Sequence, residues 1–258
     1  MKIGIIGAGN IGGAIAKGLV GSKAIDVKDL YLSDPNSCVL AEFAGMDIQT
    51  SNNNSEVAKA SELLIIAVKP WLAQEVIHKL RSSMQPQVIL ASVVAGLTLD
   101  TLVNEISTTI PIFRVIPNTA IAVGQSMTFI SSINSTKEQD NLLVSLFANM
   151  GKAMLIPDQQ MAAATSLASC GIAYAMRYIS ASMRAGVEVG FSADAAKEIV
   201  LQTLNGAVDL LRSTQQHPET EIDKVTTPKG VTIKGLNELE HSGFSSAIIN
   251  AIKASTAK

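Results

Sequence analysis

The chain has little excess charge of either sign and few cysteines. Its 258 residues carry 20 Lys and Arg against 22 Asp and Glu, so it lacks the basic surface expected of a nucleic-acid-binding protein. The two cysteines, Cys38 and Cys170, are far apart and lack metal-ligand spacing, which argues against a disulfide framework and a zinc motif. The residues before the first predicted strand do not have the pattern of a secretory signal peptide, which combines a cationic segment, an apolar stretch and a cleavage signature. We therefore expect a cytoplasmic protein with no membrane partner.

A large apolar fraction is what the chain does have. Hydrophobic residues make up 47% of it and charged residues 16%, enough for the core of one large domain or two modest ones. The first part alternates short apolar runs with helical stretches, the pattern of a parallel sheet covered by helices. From residue 158 onward the strand-like runs stop, and apolar residues recur at helical spacing. Strands are predicted at 2–6, 30–33, 63–68, 88–93, 112–116, 126–130 and 153–156.

These patterns predict an α/β protein of two domains. Residues 1–157 are predicted to form an N-terminal Rossmann-type, doubly wound, mostly parallel sheet that binds a dinucleotide. Residues 158–258 are predicted to form an all-helical substrate and dimerisation domain. A helical domain of this size and alanine content would bury more apolar surface by packing against a second copy, so we expect at least a homodimer.

The amino-terminal segment contains a complete G-x-G-x-x-G motif between an apolar strand and a helical pattern. Gly7 permits the tight turn, Gly9 lets the backbone approach a pyrophosphate, and Gly12 allows close packing of helix on strand. Because the motif sits in this context, it predicts dinucleotide binding. The cofactor residues predicted in the turn are Gly7, Ala8, Gly9, Asn10, Ile11 and Gly12.

The end of the second predicted strand bears on the choice between NADH and NADPH. Asp34 lies about twenty residues past the motif, where a carboxylate accepts a hydrogen bond from the ribose 2′-hydroxyl of NADH. No lysine or arginine occurs from residue 30 to 46 to neutralise a 2′-phosphate. Ser33, Asn36 and Asn54 are neutral side chains that would bind a phosphate, and residues 34–36 also fit ordinary turn chemistry. Both cofactors therefore stay open.

Residues 225–236 predict an anion-binding helix entrance. Thr227 fits an N-cap and Pro228 the first helical position, which would leave the next backbone N–H groups without intrahelical partners. Those donors and the positive helix end suit a carboxylate, although the same pattern is typical of an ordinary capped surface helix. The predicted substrate-binding residues are Lys229, Gly230, Val231 and Thr232.

Further motifs follow one another along the whole chain. In order they are G-A-G-N-I-G-G-A-I (7–15), A-V-K-P (67–70), S-V-V-A-G (92–96), R-V-I-P-N-T (114–119), Q-T (202–203), H-P (217–218), V-T-T-P-K-G-V-T (225–232) and L-E-H-S-G-F (239–244). In order and spacing this set resembles the pyrroline-5-carboxylate reductases. Such a series is more specific than any single motif.

The resemblance implies a dinucleotide-binding domain followed by a helical domain that interlocks with its partner in a homodimer or higher oligomer. It implies reduction of 1-pyrroline-5-carboxylate to L-proline, the last step of proline biosynthesis, by hydride transfer from NADPH or NADH. It also implies that Thr232 is the catalytic residue, whose hydroxyl reaches the imine nitrogen. Further cofactor contacts that it implies are Ala67, Val68, Lys69, Pro70, Ala95, Gly96 and Asn118.

Two stretches depart from the family pattern. The family's Ser-Gly-Ser-Gly-Pro-Ala-Tyr is A-S-C-G-I-A-Y at 168–174, and its Pro-Gly-Gly is Pro228-Lys229-Gly230. These departures keep open a related reductase of another cyclic or open-chain imine acid, and a dinucleotide-binding sensor without turnover is a second alternative. Residues 153–196 contain no lysine or histidine, which favours imine reduction over hydroxy-acid oxidation, since the latter needs a base. The three histidines are predicted to be structural.

Overall fold

The structure, a computed structural model, describes residues 1–106 and 109–256. The chain forms two compact units that divide between Ser169 and Cys170. The first unit contains a sheet with helices on both faces, and the second consists of helices. The sequence-based domain boundary between residues 157 and 158 stays a prediction, and the last two residues of its second domain lie outside the described ranges.

The sheet of the first unit has eight strands in the order β3-β2-β1-β4-β5-β6-β7-β8. Neighbouring strands run parallel except for the antiparallel pair β6 and β7. The strand order reverses between β1 and β4, which creates a crevice at their carboxyl ends. The strands are β1 (Ile3–Ile6), β2 (Leu30–Ser33), β3 (Gln49–Ser51), β4 (Leu63–Ile66), β5 (Ile89–Ser92), β6 (Ile112–Ile116), β7 (Ser126–Ile133) and β8 (Gly151–Leu155).

This topology confirms the predicted Rossmann-type, mostly parallel sheet. The prediction missed only β3, a three-residue strand of polar side chains at the edge of the sheet. Central strands are buried on both faces and therefore read as continuous apolar runs. In β4, Leu63 and Ile65 pack into the core on one face, and Leu64 and Ile66 pack into the core on the other.

The helices of the first unit cover the two faces of the sheet. They are α1 (Asn10–Ser22), α2 (Ser37–Ala41), α3 (Asn54–Ala60), α4 (Pro70–Leu80), α5 (Leu99–Ile106), α6 (Lys137–Ala148) and the short α7 (Met161–Ala164). A π-helical segment, Thr165–Cys170, follows α7 and leads into the second unit. That unit contains α8 (Gly171–Glu188), α9 (Ala193–Thr214), α10 (Pro218–Lys224), α11 (Val231–His241) and α12 (Phe244–Ala254).

The second unit is all helical, as predicted, but it has almost no core of its own. Among its described residues only Ala196 and Glu221 are buried. Large apolar side chains remain exposed on its helices, including Met176 at 57% and Ile249 at 57%. Helices that leave such faces uncovered need a partner surface. Within the described ranges, no helix combines the length and apolar character that crossing a bilayer requires.

Candidate functional site

The glycine turn between β1 and α1 has the geometry that its motif predicts. Gly7 adopts φ +102°, and a Cβ there would lie 2.7 Å from the carbonyl oxygen of Ala67. A Cβ on Gly12 would lie 1.9 Å from the carbonyl oxygen of Gly7, so only glycine lets α1 approach the strand this closely. A Cβ on Gly9 would meet no atom within 4 Å. The backbone at Gly9 is therefore open to a ligand.

At this turn, the first backbone N–H groups of α1 have no acceptor among the described residues. Gly9 is the N-cap and has no side chain to cap the helix. The first N–H to bond back is that of Gly13, which donates to the Gly9 carbonyl at 2.7 Å. The N–H groups of Asn10, Ile11 and Gly12 precede it and lie at the positive helix end, an arrangement that suits a phosphate group.

A cleft of about 370 Å³ opens beside the turn, at the carboxyl ends of β1, β2 and β4. An apolar wall that the sequence analysis did not identify, Leu72 and Val76 of α4, forms part of it. The two residues are spaced i, i+4 after the A-V-K-P stretch, and this spacing could have predicted one apolar helix face beside the turn. The predicted cofactor residues that the cleft brings together are Gly7, Gly9, Asn10, Ile11, Asp34, Asn54, Ala67, Val68 and Lys69.

Backbone hydrogen bonds hold the side chain of Asp34 at the rim of this cleft. Its Oδ2 accepts from the N–H of Ala8 at 2.9 Å, and its Oδ1 accepts from the N–H of Asn36 at 2.9 Å. Ala8 therefore contributes to the turn through its amide. The bond to Asn36 is the ordinary turn chemistry that the sequence also allowed at residues 34–36, and Asp34 still lines the cleft.

Ser33, a predicted cofactor residue, contacts Asn54, which is also a predicted cofactor residue. Its side chain is fully buried, and its hydroxyl donates to Oδ1 of Asn54 at 2.8 Å. The hydroxyl is therefore inaccessible and orients Asn54, and a direct contact of Ser33 with a cofactor stays a prediction.

The remaining predicted cofactor residues follow neighbouring strand ends. Pro70 is the first residue of α4. Ala95 and Gly96 follow β5, and Gly96 adopts φ +83°. Asn118 follows β6 and caps the short 3-10 helix Thr119–Val123, since its Oδ1 accepts from the N–H of Ala120 at 3.1 Å. These residues share the carboxyl edge of the sheet with the cleft but do not line it.

The 225–236 segment differs from its prediction. Helix α10 ends at Lys224, and α11 begins only at Val231 with Gly230 as its N-cap. The assignments of Thr227 as N-cap and Pro228 as first helical residue are therefore wrong. Residues 227–230 instead form a turn in which the Gly230 N–H donates to the Thr227 carbonyl at 2.9 Å and Lys229 adopts φ +62°. Proline followed by a positive-φ residue is the pattern of a type II turn.

This turn changes which backbone N–H groups are free, within the described ranges, at the start of α11. The N–H of Gly230 is already bonded within the turn, and its role in substrate binding stays a prediction. The first-turn N–H groups belong instead to Val231, Thr232 and Ile233. Thr232 is exposed, and within the described residues no group bonds to its hydroxyl. Ile233 was missed because the cap was assigned three residues too early.

Comparison with known proteins gives the family. Residues 158–258 match the family model for pyrroline-5-carboxylate reductase dimerisation, and residues 2–96 match that of NADP oxidoreductase, coenzyme F420-dependent. Pyrroline-5-carboxylate reductase 2 of Dictyostelium discoideum is 35% identical, over 100% of this chain and 91% of that protein. The chain belongs to the pyrroline-5-carboxylate reductase family. The resemblance found in the sequence is thereby confirmed, and the dimerisation model supports self-association.

Two further comparisons cover nearly all of the chain. Pyrroline-5-carboxylate reductase 1 of Dictyostelium discoideum is 37% identical over 99% of this chain, which spans about half, 49%, of that protein's length. A crystal structure of the Plasmodium falciparum pyrroline carboxylate reductase with NADP bound superposes with a TM-score of 0.93 at 27% identity, covering 99% of this chain and 95% of that one. The reductase fold therefore extends over both units.

Proposed function

We propose that this protein reduces 1-pyrroline-5-carboxylate to L-proline with NADPH or NADH, the last step of proline biosynthesis, as a cytoplasmic homodimer. Family membership over essentially the full chain carries the proposal. The open glycine turn beside the cleft supports it on the cofactor side. We further propose that the functional domains are residues 1–157 for the dinucleotide and 158–258 for substrate and dimerisation.

The cofactor half of the site is assigned to the first unit. A bound reduced nicotinamide would supply the hydride for the imine carbon. The N–H groups of Asn10 and Ile11 would hold the pyrophosphate, because they lie at the start of α1 and have no acceptor among the residues described. The adenosine half would lie in the cleft between Asn54 and the apolar wall of α4. The residues proposed for the nicotinamide half are Ala95, Gly96 and Asn118.

The substrate half is assigned to the entrance of α11. Val231, Thr232 and Ile233 present backbone donors at the positive helix end, which would bind the carboxylate of the substrate. The exposed hydroxyl of Thr232 would hydrogen-bond to the imine nitrogen and orient the ring. It would also help to deliver the proton that the product amine gains. The Lys229 ammonium is assigned to solvent.

A nicotinamide absorbance assay with pyrroline-5-carboxylate tests the proposal. We expect turnover by the wild type and a loss of roughly one to three powers of ten in kcat for Thr232→Val, which keeps the shape and removes the hydroxyl. Thr232→Ser is the matched control, because it retains the hydroxyl and should retain most of the rate. Equal turnover by wild type and Thr232→Val would remove Thr232 from the mechanism.

A related imine acid stays the second candidate substrate, because the A-S-C-G-I-A-Y departure overlaps the π-helical segment Thr165–Cys170. The same assay with a six-membered cyclic imine carboxylate compares the two substrates. Faster turnover of the larger ring would support that candidate, and no turnover with either compound would favour the non-catalytic sensor.

The homodimer has its own test. Size-exclusion chromatography with light scattering should give at least twice the chain mass of 27.1 kDa. Met176→Asp introduces a charge into an apolar groove of α8 and should shift the protein toward smaller species. Leu142→Asp on α6 is the control, because it changes a 40% exposed leucine of the first unit. A stable wild-type monomer would refute the homodimer.

A further inference from the structure

Two backbone N–H groups fix the carboxylate of Asp34 where the glycine turn meets the end of β2. One comes from Ala8 inside the turn and the other from Asn36. Each bond occupies one acceptor position, whereas an ionised carboxylate offers about four such positions on its two oxygens. Asp34 lines the cleft, and its carboxylate keeps acceptor capacity beyond these two bonds.

The charges and donors around Asp34 limit what that ligand can be. Ser33 is buried and its hydroxyl is committed to Asn54, whose Oδ1 is thereby used as an acceptor. The amide NH₂ of Asn54 is left as the neutral donor of this pair. Lys69, the cation of the cleft lining, belongs to the connection after β4, and residues 30–46 contain no lysine or arginine. The β2 end of the cleft thus combines a fixed anion with a neutral amide.

We infer that Asp34 determines cofactor specificity and makes this chain prefer NADH over NADPH. The carboxylate accepts a hydrogen bond from the 2′-hydroxyl of an unmodified adenosine ribose. A 2′-phosphate carries close to two negative charges and would be placed beside the carboxylate with no cation of its own strand end to neutralise it. Discrimination then comes from attraction to one cofactor and repulsion of the other.

The inference deepens the proposed function, which leaves both cofactors open. It rests only on the dinucleotide cleft of the first unit, and imine reduction does not enter it. A purely structural role is the competing explanation, in which Asp34 pins the turn to β2 through Ala8. The two explanations differ in one observable, because a structural pin affects both cofactors equally and a specificity residue changes their ratio.

Calorimetric titration of the full-length chain measures that ratio directly. Two pairs of ligands are compared, NADH with NADPH and 5′-AMP with 2′,5′-ADP. The members of each pair differ only by the 2′-phosphate, so their affinities measure its effect on binding without any reaction. We expect the wild type to bind the unphosphorylated member of each pair about tenfold more tightly or better. Asp34→Asn keeps the shape and an acceptor for the Ala8 N–H but removes the charge. The substitution should weaken NADH binding, strengthen NADPH binding and bring both affinity ratios close to one.

Glu138→Gln is the matched control, since it removes one negative charge from an exposed position on α6 and should leave the ratios unchanged. Asp34→Ser is a second variant in case Asp34→Asn folds poorly, and the wild-type nucleotide ratio needs no variant at all. Equal wild-type affinities for 5′-AMP and 2′,5′-ADP would overturn the inference, and so would an equal loss of both cofactors in Asp34→Asn. Absence of pyrroline-5-carboxylate turnover would refute the proposed function while leaving these ratios intact.

Discussion

Arg114 Nη1 donates to Asp158 Oδ1 over 3.1 Å, and this bond joins the middle of β6 to the segment that follows β8. The arginine side chain is 10% exposed and the aspartate 27%. Ser131 of β7 donates to the same Oδ1 at 2.9 Å. The Arg114 Nε is buried and has no hydrogen-bond partner among the described residues. The guanidinium therefore depends on Asp158 for its charge compensation.

Removal of that carboxylate should be costly. Asp158→Ala leaves a buried guanidinium without its counter-ion, and we expect the free energy of unfolding to fall by about 3 kcal/mol. Glu75→Ala is the control, because Glu75 and Lys79 form an exposed pair whose loss should change the stability little. Thermal unfolding of the two variants measures the difference. Equal shifts would mean that the buried pair contributes no more than a surface pair.

Lys229 occupies a backbone conformation that favours glycine. Its φ of +62° costs a non-glycine residue roughly 1–2 kcal/mol, and the family pattern has glycine at this position. Lys229→Gly should therefore raise the thermal unfolding midpoint, although the more flexible unfolded chain offsets part of the gain. Lys229→Ala removes the same charge without relieving the conformation.

The comparison of these two variants separates strain from charge. We expect stabilisation in Lys229→Gly alone and an unchanged KM in both, because the ammonium is assigned to solvent. A rise in KM for both variants would instead place the ammonium beside the substrate carboxylate. Equal unfolding midpoints would show that the turn carries no strain at this residue.

The Lys229 turn also shows why part of the site could not be predicted from the sequence. Proline at residue 228 is equally compatible with the first position of a helix and the second position of a turn. The glycine that normally marks the turn is absent here, so the sequence favoured the helix. The outcome was decided by a left-handed backbone at Lys229, which local propensity does not predict.

The first unit was easier to predict, because its buried strands and glycine turn leave strong local patterns. Runs such as residues 63–66 are apolar on both faces, and Gly7 and Gly12 are required by contacts with neighbouring backbone. The burial of Ser33 and the existence of β3 could not be predicted in the same way. Side-chain burial at a strand end and pairing of a polar edge strand depend on tertiary neighbours.

Glu221 gives the stability of the second unit a dependence on pH. It is one of the few buried residues there, and the hydrogen bond from Lys224 at 2.7 Å lowers the pKa of its carboxyl below 4.5, with a smaller contribution from Thr214. Because the pKa is lower in the folded state, this stabilisation is present above the unfolded pKa and is lost as pH falls through the folded pKa.

Glu221→Gln should consequently be less stable than the wild type at pH 7, and the gap should narrow toward pH 3. Thermal unfolding across this range checks the expectation. Glu219→Gln on the same helix is the control, since Glu219 is exposed and forms no ion pair within the described residues. A stability difference between the two proteins that stays constant from pH 7 to pH 3 would show that the charge of the carboxylate adds nothing to its hydrogen bonds.

Alanine substitutions at three glycines of α1 and its turn should separate packing from ligand binding. Gly12→Ala places a methyl group against the Gly7 carbonyl oxygen and Ala67, where the backbone must shift. We therefore expect a loss of about 1–3 kcal/mol in unfolding free energy.

Gly9→Ala meets no neighbour and should keep the stability. It should weaken NADH binding, because the methyl group occupies the approach of the pyrophosphate. Gly21→Ala, also free of neighbours, should stabilise the helix by roughly 0.5–1 kcal/mol and leave NADH affinity unchanged. Calorimetry and thermal unfolding of all three variants test this assignment, which fails if Gly9→Ala binds NADH as tightly as Gly21→Ala.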